Sequence, residues 1–190
     1  MAEKPPTDVP PAASLAWALR AADALAEGCG HVAAACATLV VALTAGLVLA
    51  FSLGHGSVKV QDLVLWLNAA MVMLGLGYAL KARAHVRIDV LSARLGERGR
   101  ARVELAGVAV LLLPFCAAVL WLSLDYVAMS WAVRERSAST GGLPGLFLAK
   151  TLLPVGAVLL ALQGVAEGLR ALPVALGAAS REAGDAEPRP

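Results

Sequence analysis

Three polar side chains lie in, or at the ends of, long apolar stretches of the sequence. An ionisable residue within a membrane helix is by default a candidate for a functional site, because its burial in lipid is costly. Asp125 and Lys150 lie toward the ends of their stretches, and Asn68 is the amide that we place well inside one. Helix packing or capping is the favoured interpretation of Asn68 and Asp125. The alternative is an autonomous transporter or channel, with a path lined by Asn68, Asp125 and Lys150.

Metal, haem and catalytic chemistry lack the residues that they need. His31, His55 and His85 lie at different boundaries of the apolar stretches, so they cannot form the facing pair that haem in a helix bundle requires. His85 and Asp89 have the i, i+4 spacing of one helix face, but two ligands do not close a metal site. The cysteines form no Cys-x-x-Cys pair and are expected to be apolar filler: Cys29, Cys36 and Cys116. We therefore predict no catalytic residue, cofactor or metal ion, and a membrane redox enzyme is disfavoured.

The composition favours a membrane protein over a soluble domain. Of the 190 residues, 59% are hydrophobic and 16% are charged, and the mean hydropathy is +0.73. Soluble domains have about 45–50% apolar and ~25% charged residues. The formal net charge is only +2, which excludes a strongly basic nucleic-acid binder.

Four apolar stretches are long enough, or nearly long enough, to cross a bilayer as helices. A hydrocarbon core of ~30 Å needs about 20 residues at a rise of ~1.5 Å each. The predicted spans are about 32–54, 63–80, 105–133 and 143–168. The fourth span includes Lys150, whose long side chain can reach the membrane surface. The sequence therefore predicts an all-α integral membrane protein with a four-helix domain over 32–172.

Basic residues predict the orientation of these spans, because cytoplasmic loops retain Lys and Arg. The connection between the second and third spans is the most basic segment. It contains Lys81, Arg83, Arg87, Arg94, Arg98, Arg100 and Arg102. The connections on the opposite side of the membrane carry fewer basic residues: Lys59, Arg134, Arg136 and Lys150. Both chain termini are therefore predicted to be cytoplasmic.

Two segments outside the spans have the pattern of short amphipathic helices. Over 14–28, apolar residues fall on one side and charged residues on the other, as in a helix that lies on a membrane surface. A second interfacial helix is predicted over 89–103 on the cytoplasmic side. One interpretation of its basic face is a surface that binds anionic lipid or an acidic partner. The other is that its basic residues only set the topology of the chain. Residues 1–13 and 180–190 are polar and rich in Pro and Ala, and they are predicted to be disordered.

Small residues recur at four-residue spacing in three of the predicted spans, which lets helices approach closely. They are Ala42, Gly46 and Ala50 in the first span, Gly75 and Ala79 in the second, and Gly164 and Gly168 in the fourth. These ridges serve either the bundle itself or a partner protein. Pro114 and Pro154 each remove one backbone donor and are expected to bend their helices.

Three landmarks follow one another along the chain. The first is Trp66 with the small-residue run 75–80, the second is the segment 85–91, and the third is Glu135-x-Ser137 with the run 153–156 downstream. In this order they resemble the small membrane subunit, of the DctQ type, of tripartite ATP-independent periplasmic (TRAP) transporters. The resemblance covers roughly residues 33–172. The partner or structural candidates that it provides are Trp66, Gly75, His85, Arg87, Asp89, Glu135, Ser137, Pro154 and Gly156.

The resemblance implies a role in transport without catalysis. A periplasmic substrate-binding protein of the DctP type captures an organic acid, and a large permease subunit of the DctM type moves it inward with sodium. The small subunit is expected to be an accessory scaffold that packs against the large one, in the lipid bilayer of a bacterial inner membrane. The outer loops, 58–62 and 134–144, are expected to help dock the binding protein, and Arg87 and Asp89 to order the cytoplasmic loop.

Overall fold

The computed structural model of the chain describes residues 11–82 and 96–177, with side chains from residue 15 onward. Four helices make up this part of the chain. They are α1 (Pro11–Ser52), α2 (Val58–Lys81), α3 (Glu97–Ala132) and α4 (Leu146–Leu176). Each is long and apolar enough to cross a membrane. The expected all-α architecture with four apolar helices is confirmed, and the described residues contain no strand beyond an isolated bridge between Arg136 and Pro144.

Helix α1 differs from the prediction, because it is one continuous element of 42 residues. The boundary that we predicted between an interfacial helix over 14–28 and a span over 32–54 falls inside it. Residues 11–13 of the predicted tail belong to its first turn, where proline is favoured because its missing N–H is not needed there; residues 1–10 lie outside the described part. The continuity has a packing reason, since Ala26, Ala33 and Cys36 are buried along one face that crosses the predicted boundary.

Helix α3 is also longer than its predicted span over 105–133. Its first residues, from Glu97, occupy the second half of the interfacial helix that we predicted over 89–103, so this half continues into the membrane helix; residues 89–95 lie outside the described part. A π-helical segment, Gly107–Leu112, precedes Pro114. The wider turn accommodates a proline that cannot donate to the preceding turn.

Helix α4 is the central element of the bundle. It packs against α2 and α3 along much of its length and also contacts α1, whereas α1 packs mainly against α2. Gly156 faces Met73 of α2, and a Cβ atom at Gly156 would lie 3.0 Å from the Met73 Cβ. Gly164 and Gly168 face α3. This predicted ridge therefore serves the bundle itself, and it lets α3 approach closely.

The other two predicted ridges differ in how they are used. Gly75 lies against α1, where an added Cβ would make an ordinary contact of 3.7 Å with Ala33. Gly46 has nothing within 4 Å of an added Cβ, and Ala42 is exposed beside it. The ridge of α1 is therefore not a contact of this bundle. Pro154 lies inside α4, which remains α-helical around it.

The two ends of the bundle hold different parts of the chain. One end, which we call the loop end, holds the connection between α1 and α2 and the connection between α3 and α4. The opposite end, the terminal end, holds the start of α1 and the end of α4, because Arg170 of α4 contacts Asp23 of α1. At about 1.5 Å per residue, α1 is roughly 63 Å long and α4 roughly 46 Å. Both exceed the ~30 Å hydrocarbon core, so part of each lies outside it.

Candidate functional site

An ion pair at the loop end joins the connection after α3 to α4. Lys150 Nζ donates to Glu135 Oε2 at 2.5 Å, and Ser130 Oγ donates to the same oxygen at 2.6 Å. The Lys150 ammonium also lies over the Tyr126 ring, 4.1 Å from its centroid. Two helices, α3 through Ser130 and α4 through Lys150, therefore donate to one carboxylate.

Arg134 explains why Glu135 points back toward the bundle. Arg134 has a φ of 46°, a left-handed conformation that costs a non-glycine residue roughly 1–2 kcal/mol. Its N–H donates to the Trp131 carbonyl, and the Glu135 N–H donates to the Ser130 carbonyl. These bonds end α3 in the manner of a left-handed C-cap. The turn reverses the chain and brings the Glu135 side chain over the last turn of α3.

Aromatic contacts hold α3 and α4 together beside this ion pair. Trp131 Nε1 donates to Thr151 Oγ1 at 2.9 Å, and the Thr151 hydroxyl donates to the Phe147 carbonyl at 2.8 Å. The rings of Trp131 and Phe147 meet edge to face with centroids 4.6 Å apart. Edge-to-face pairs of this kind add to the stability that burial provides.

Asp62 fixes the loop between α3 and α4 from the side of α2. It is 5% exposed, and its Oδ2 accepts a hydrogen bond of 2.8 Å from the Leu143 N–H. The Ser137 N–H in turn donates to the Leu143 carbonyl at 3.1 Å. A Cβ at Gly142 would collide with Asp62 and Ser137. Glycine is required at this position because the loop folds tightly onto the Asp62 carboxylate.

Trp66 lies one helical turn from Asp62 and also contacts this loop. A Cβ at Gly145, whose φ is 104°, would lie 3.8 Å from the Trp66 ring. Three candidates from the sequence, Trp66, Glu135 and Ser137, therefore lie in the same loop-end cluster. Sequence reasoning missed Asp62. The available signal was a carboxylate at the start of an apolar helix, because such a carboxylate needs a partner.

The electrostatics of the loop end favour an ionised Glu135. The hydrogen bond from Lys150, followed by that from Ser130, holds the pKa of the Glu135 carboxyl below its ordinary value of 4.5. Asp62 and Glu135 are both engaged within the protein, whereas Lys59, Arg134 and Arg136 are exposed. The exposed side chains of Lys59, Arg134 and Arg136 therefore give this end a basic surface.

A second polar cluster, at the terminal end, joins α1 to α4. Arg170 donates to Asp23 Oδ2 at 2.6 Å and to Glu167 Oε1 at 2.7 Å. Gln163 is 1% exposed, and its Nε2 donates to both carboxylates at 3.3 Å. Among the residues that the structure describes, none forms a hydrogen bond with the Gln163 Oε1. This cluster holds the long helix α1 against α4.

Further polar contacts at the terminal end join the remaining helices. Lys81, at the end of α2, forms an ion pair of 2.7 Å with Glu27 of α1. Arg102, near the start of α3, donates to the carbonyl of Ala175 in α4 at 3.2 Å. Basic residues such as Lys81 and Arg102, which the sequence analysis used only to predict orientation, thus help to connect all four helices. Sequence reasoning missed the cluster around Arg170, although Gln163, Glu167 and Arg170 have the spacing of one helix face.

The path that we considered for an autonomous transporter does not form. Lys150 is bound to Glu135, whereas Asn68 and Asp125 are exposed on α2 and α3. Helix α4 lies between these two helices, which scarcely contact each other. The amide that the bundle buries is Gln163 of α4. Asn68 lies on the surface of the bundle.

The remaining candidates from the sequence are structural where they are described. Gly75 and Gly156 are points of helix contact, and Pro154 lies in α4 two residues before Gly156. The segment that carries the other three candidates lies outside the described residues: His85, Arg87 and Asp89. Within residues 11–82 and 96–177, no three His, Cys, Asp or Glu side chains are grouped as metal ligands.

Comparison with known families bears on the meaning of these clusters. Residues 32–173 match the family described as tripartite ATP-independent periplasmic transporters, DctQ component. The match extends over most of the chain, from the second half of α1 to near the end of α4. The chain belongs to this family. As a DctQ component it is a small permease subunit of a TRAP transporter and a multi-pass membrane protein. The family consists of transporter components and is not a family of enzymes. No curated protein and no solved structure matches the chain.

Proposed function

We propose that this DctQ chain is the accessory scaffold subunit of a sodium-coupled TRAP importer of organic acids, such as dicarboxylates, keto acids or sugar acids, in a bacterial inner membrane. It packs against a large permease subunit of the DctM type, which carries the substrate and sodium. It also helps to dock a periplasmic substrate-binding protein of the DctP type. The chain itself moves no solute.

This proposal rests on one observation, which is that the charged side chains of the bundle pair with each other at its two ends. Secondary transporters bind their substrate near the midplane of the bilayer, through polar groups on broken helices. Here, Glu135 and Lys150 pair at the loop end, and Asp23 and Arg170 pair at the terminal end. These pairs join helices to each other. A bundle held together in this way suits a rigid support for a moving partner.

The loop end has the charge expected of a docking surface for the binding protein. Lys59, Arg134 and Arg136 are exposed, while the two nearby acids, Asp62 and Glu135, bind within the protein. A basic surface of this kind attracts an acidic one and accelerates its encounter. The proposal therefore places the loop end in the periplasm and both termini in the cytoplasm.

Uptake by reconstituted vesicles tests the division of labour. Vesicles containing the large permease subunit and this chain are expected to take up the organic acid when the binding protein and a sodium gradient are supplied. Vesicles containing this chain without the large subunit are expected to show none. Sodium-driven uptake by this chain alone would overturn the scaffold function.

A charge variant tests the docking surface separately. Replacing Lys59, Arg134 and Arg136 with Gln is expected to raise the concentration of binding protein needed for half-maximal uptake, and to reduce its dependence on salt. The matched control replaces Arg20 and Arg100, two exposed cations of the terminal end, and is expected to leave that concentration unchanged. Equal effects of the two variants would contradict docking at the loop end.

A further inference from the structure

Asn68 places an amide on the outer surface of a membrane helix. It is exposed, and among residues 11–82 and 96–177 nothing forms a hydrogen bond with its side chain. Helix α2 runs from Val58 to Lys81, so Asn68 lies about 15 Å from one end and about 20 Å from the other. This position is close to the middle of the apolar span.

The side of α2 that carries Asn68 is not covered by the described part of the bundle. Gly77, which faces Leu159 of α4, lies nine residues from Asn68, which is about two and a half turns and hence the opposite side of the helix. Neighbours of Asn68 on the uncovered side are also exposed, Leu65 by 60% and Val72 by 44%.

These residues form a seam with the spacing of helix pairs. The seam comprises Gln61, Leu65, Asn68 and Val72, which follow one another at intervals of four, three and four residues. Repeats of this kind bring one side of a helix against a neighbouring helix over several turns. The seam has two apolar side chains, Leu65 and Val72, and two amides, with Gln61 near the start of α2 and Asn68 close to the middle of the span.

Lipid is an unsuitable neighbour for that amide. Hydrocarbon offers no hydrogen bond, and burying an unbonded amide in an apolar medium costs about 2–7 kcal/mol. Membrane helices relieve this cost by hydrogen bonding to a polar group of another helix. An occupant of the seam must therefore be a helix with a polar group at the same depth.

We propose that the Gln61–Val72 seam of α2 is the surface that binds a membrane helix of the large permease subunit, with Asn68 hydrogen-bonded to a polar side chain or an open carbonyl of that helix. This inference rests on the proposed function, because the large subunit is the other membrane component of the assembly. It specifies which side of the bundle faces that subunit.

Co-purification tests the seam. The tagged chain is co-expressed with the large subunit, and the ratio of the two proteins is measured after solubilisation and a salt wash. Asn68→Leu is expected to weaken association about fivefold to tenfold, as loss of one hydrogen bond between membrane helices does. Asn68→Gln, which keeps the amide, restores most of the ratio. The thermal midpoint of the isolated Asn68→Leu chain is expected not to fall, because no hydrogen bond joins the Asn68 side chain to any described residue.

The outcomes separate the inference from the proposed function. If the wild-type chain retains the large subunit and Asn68→Leu retains it equally, the inference fails and the scaffold function stands. If the wild-type chain retains no large subunit, the scaffold function itself fails.

Crosslinking from a photoreactive residue in place of Val72 is a second test of the seam. An adduct with the large subunit supports the seam, whereas adducts with lipid alone or with a second copy of this chain overturn it.

Discussion

Glu135 shows how a single side chain depends on the turn that presents it. The left-handed Arg134 reverses the chain after α3, and only then do Ser130 and Lys150 meet the same carboxylate oxygen. A carboxylate with two donors is stabilised in its charged form, so its pKa lies below 4.5 in the folded protein. The stabilisation is present above the ordinary pKa and is lost as the pH falls through the lowered one.

Replacing Glu135 with Gln is expected to lower the thermal midpoint of the purified chain at pH 7, because Lys150 loses its counter-charge. The difference between wild type and Glu135→Gln is expected to shrink as the pH falls below 4.5, since the wild-type carboxyl then becomes neutral too. Thermal unfolding in detergent across this pH range measures both effects. Arg136→Gln is the control, because Arg136 is exposed in the same loop. A difference that persists unchanged in acid would contradict the ion pair.

Arg170 is the cation on which the terminal-end cluster depends. Its side chain is 33% exposed and that of Asp23 is 27% exposed. Arg170→Met is expected to destabilise the chain by about 1–3 kcal/mol, below the ~3–5 kcal/mol of a fully buried pair because water screens part of the interaction. Lys81→Met, which breaks a pair whose Glu27 is 56% exposed, is expected to cost no more than about 1 kcal/mol.

Chemical or thermal unfolding of the two variants and of Asp23→Asn completes this test. The combination of Asp23→Asn with Arg170→Met is expected to cost less than the sum of the single changes, because both remove the same interaction. Additive costs would show that the two residues act independently.

At the scale of the elements, glycines determine which helices approach each other. Gly156 lies against Met73 with no space for a side chain, whereas Gly46 on α1 faces open space. The same residue type in two apolar helices therefore has opposite roles within the bundle. Spacing alone does not separate these roles, since the ridge of Gly164 and Gly168 packs on α3, whereas the ridge of Ala42 and Gly46 packs on nothing within residues 11–82 and 96–177.

Gly156→Leu is expected to destabilise the isolated chain by about 1–3 kcal/mol, as overpacking of a filled interface does. Gly46→Leu is the matched control, because it adds the same side chain to a membrane helix at an open position. It is expected to leave the thermal midpoint of the isolated chain unchanged or to raise it. Equal midpoints for the two variants would contradict the close contact between α2 and α4.

At the scale of the whole molecule, the four helices place both ends of the described chain at one end of the bundle. The contact between Asp23 and Arg170, together with that between Lys81 and Glu27, fixes this arrangement. Which end faces the cytoplasm is a matter of charge. The excess of Lys and Arg around the terminal end predicts that it faces inward.

A reporter enzyme that is active only in the periplasm tests this orientation. Inserted after Arg136, in the connection between α3 and α4, it is expected to be active. Fused to the C-terminus, it is expected to be inactive, and a reporter active only in the cytoplasm is expected to give the opposite pattern. Activity of the periplasmic reporter at the C-terminus would reverse the orientation and move the basic loop end away from the binding protein.

The number and class of the helices followed from the sequence alone. A bilayer requires long apolar helices, so charge-free stretches such as Val32–Leu53 and Leu105–Leu124 can be identified as membrane helices without any knowledge of their neighbours. Helix boundaries were less predictable. Nothing in residues 28–31 shows whether a helix stops at the membrane surface or continues, because the buried face of α1 is defined by contact with α2.

The partners of the polar side chains were decided only by the tertiary structure. Asp23 and Arg170 are 147 positions apart, and Asp62 and Leu143 are 81 positions apart. Local patterns carry no information about such distances. Whether Asn68 is buried in the bundle or exposed on it depends equally on which side of α2 the other helices occupy. The amino-acid composition of the four stretches determined how much of this chain must lie in lipid, through the free energy of transfer of its side chains. The packing of the four helices decided which surfaces remain for other proteins.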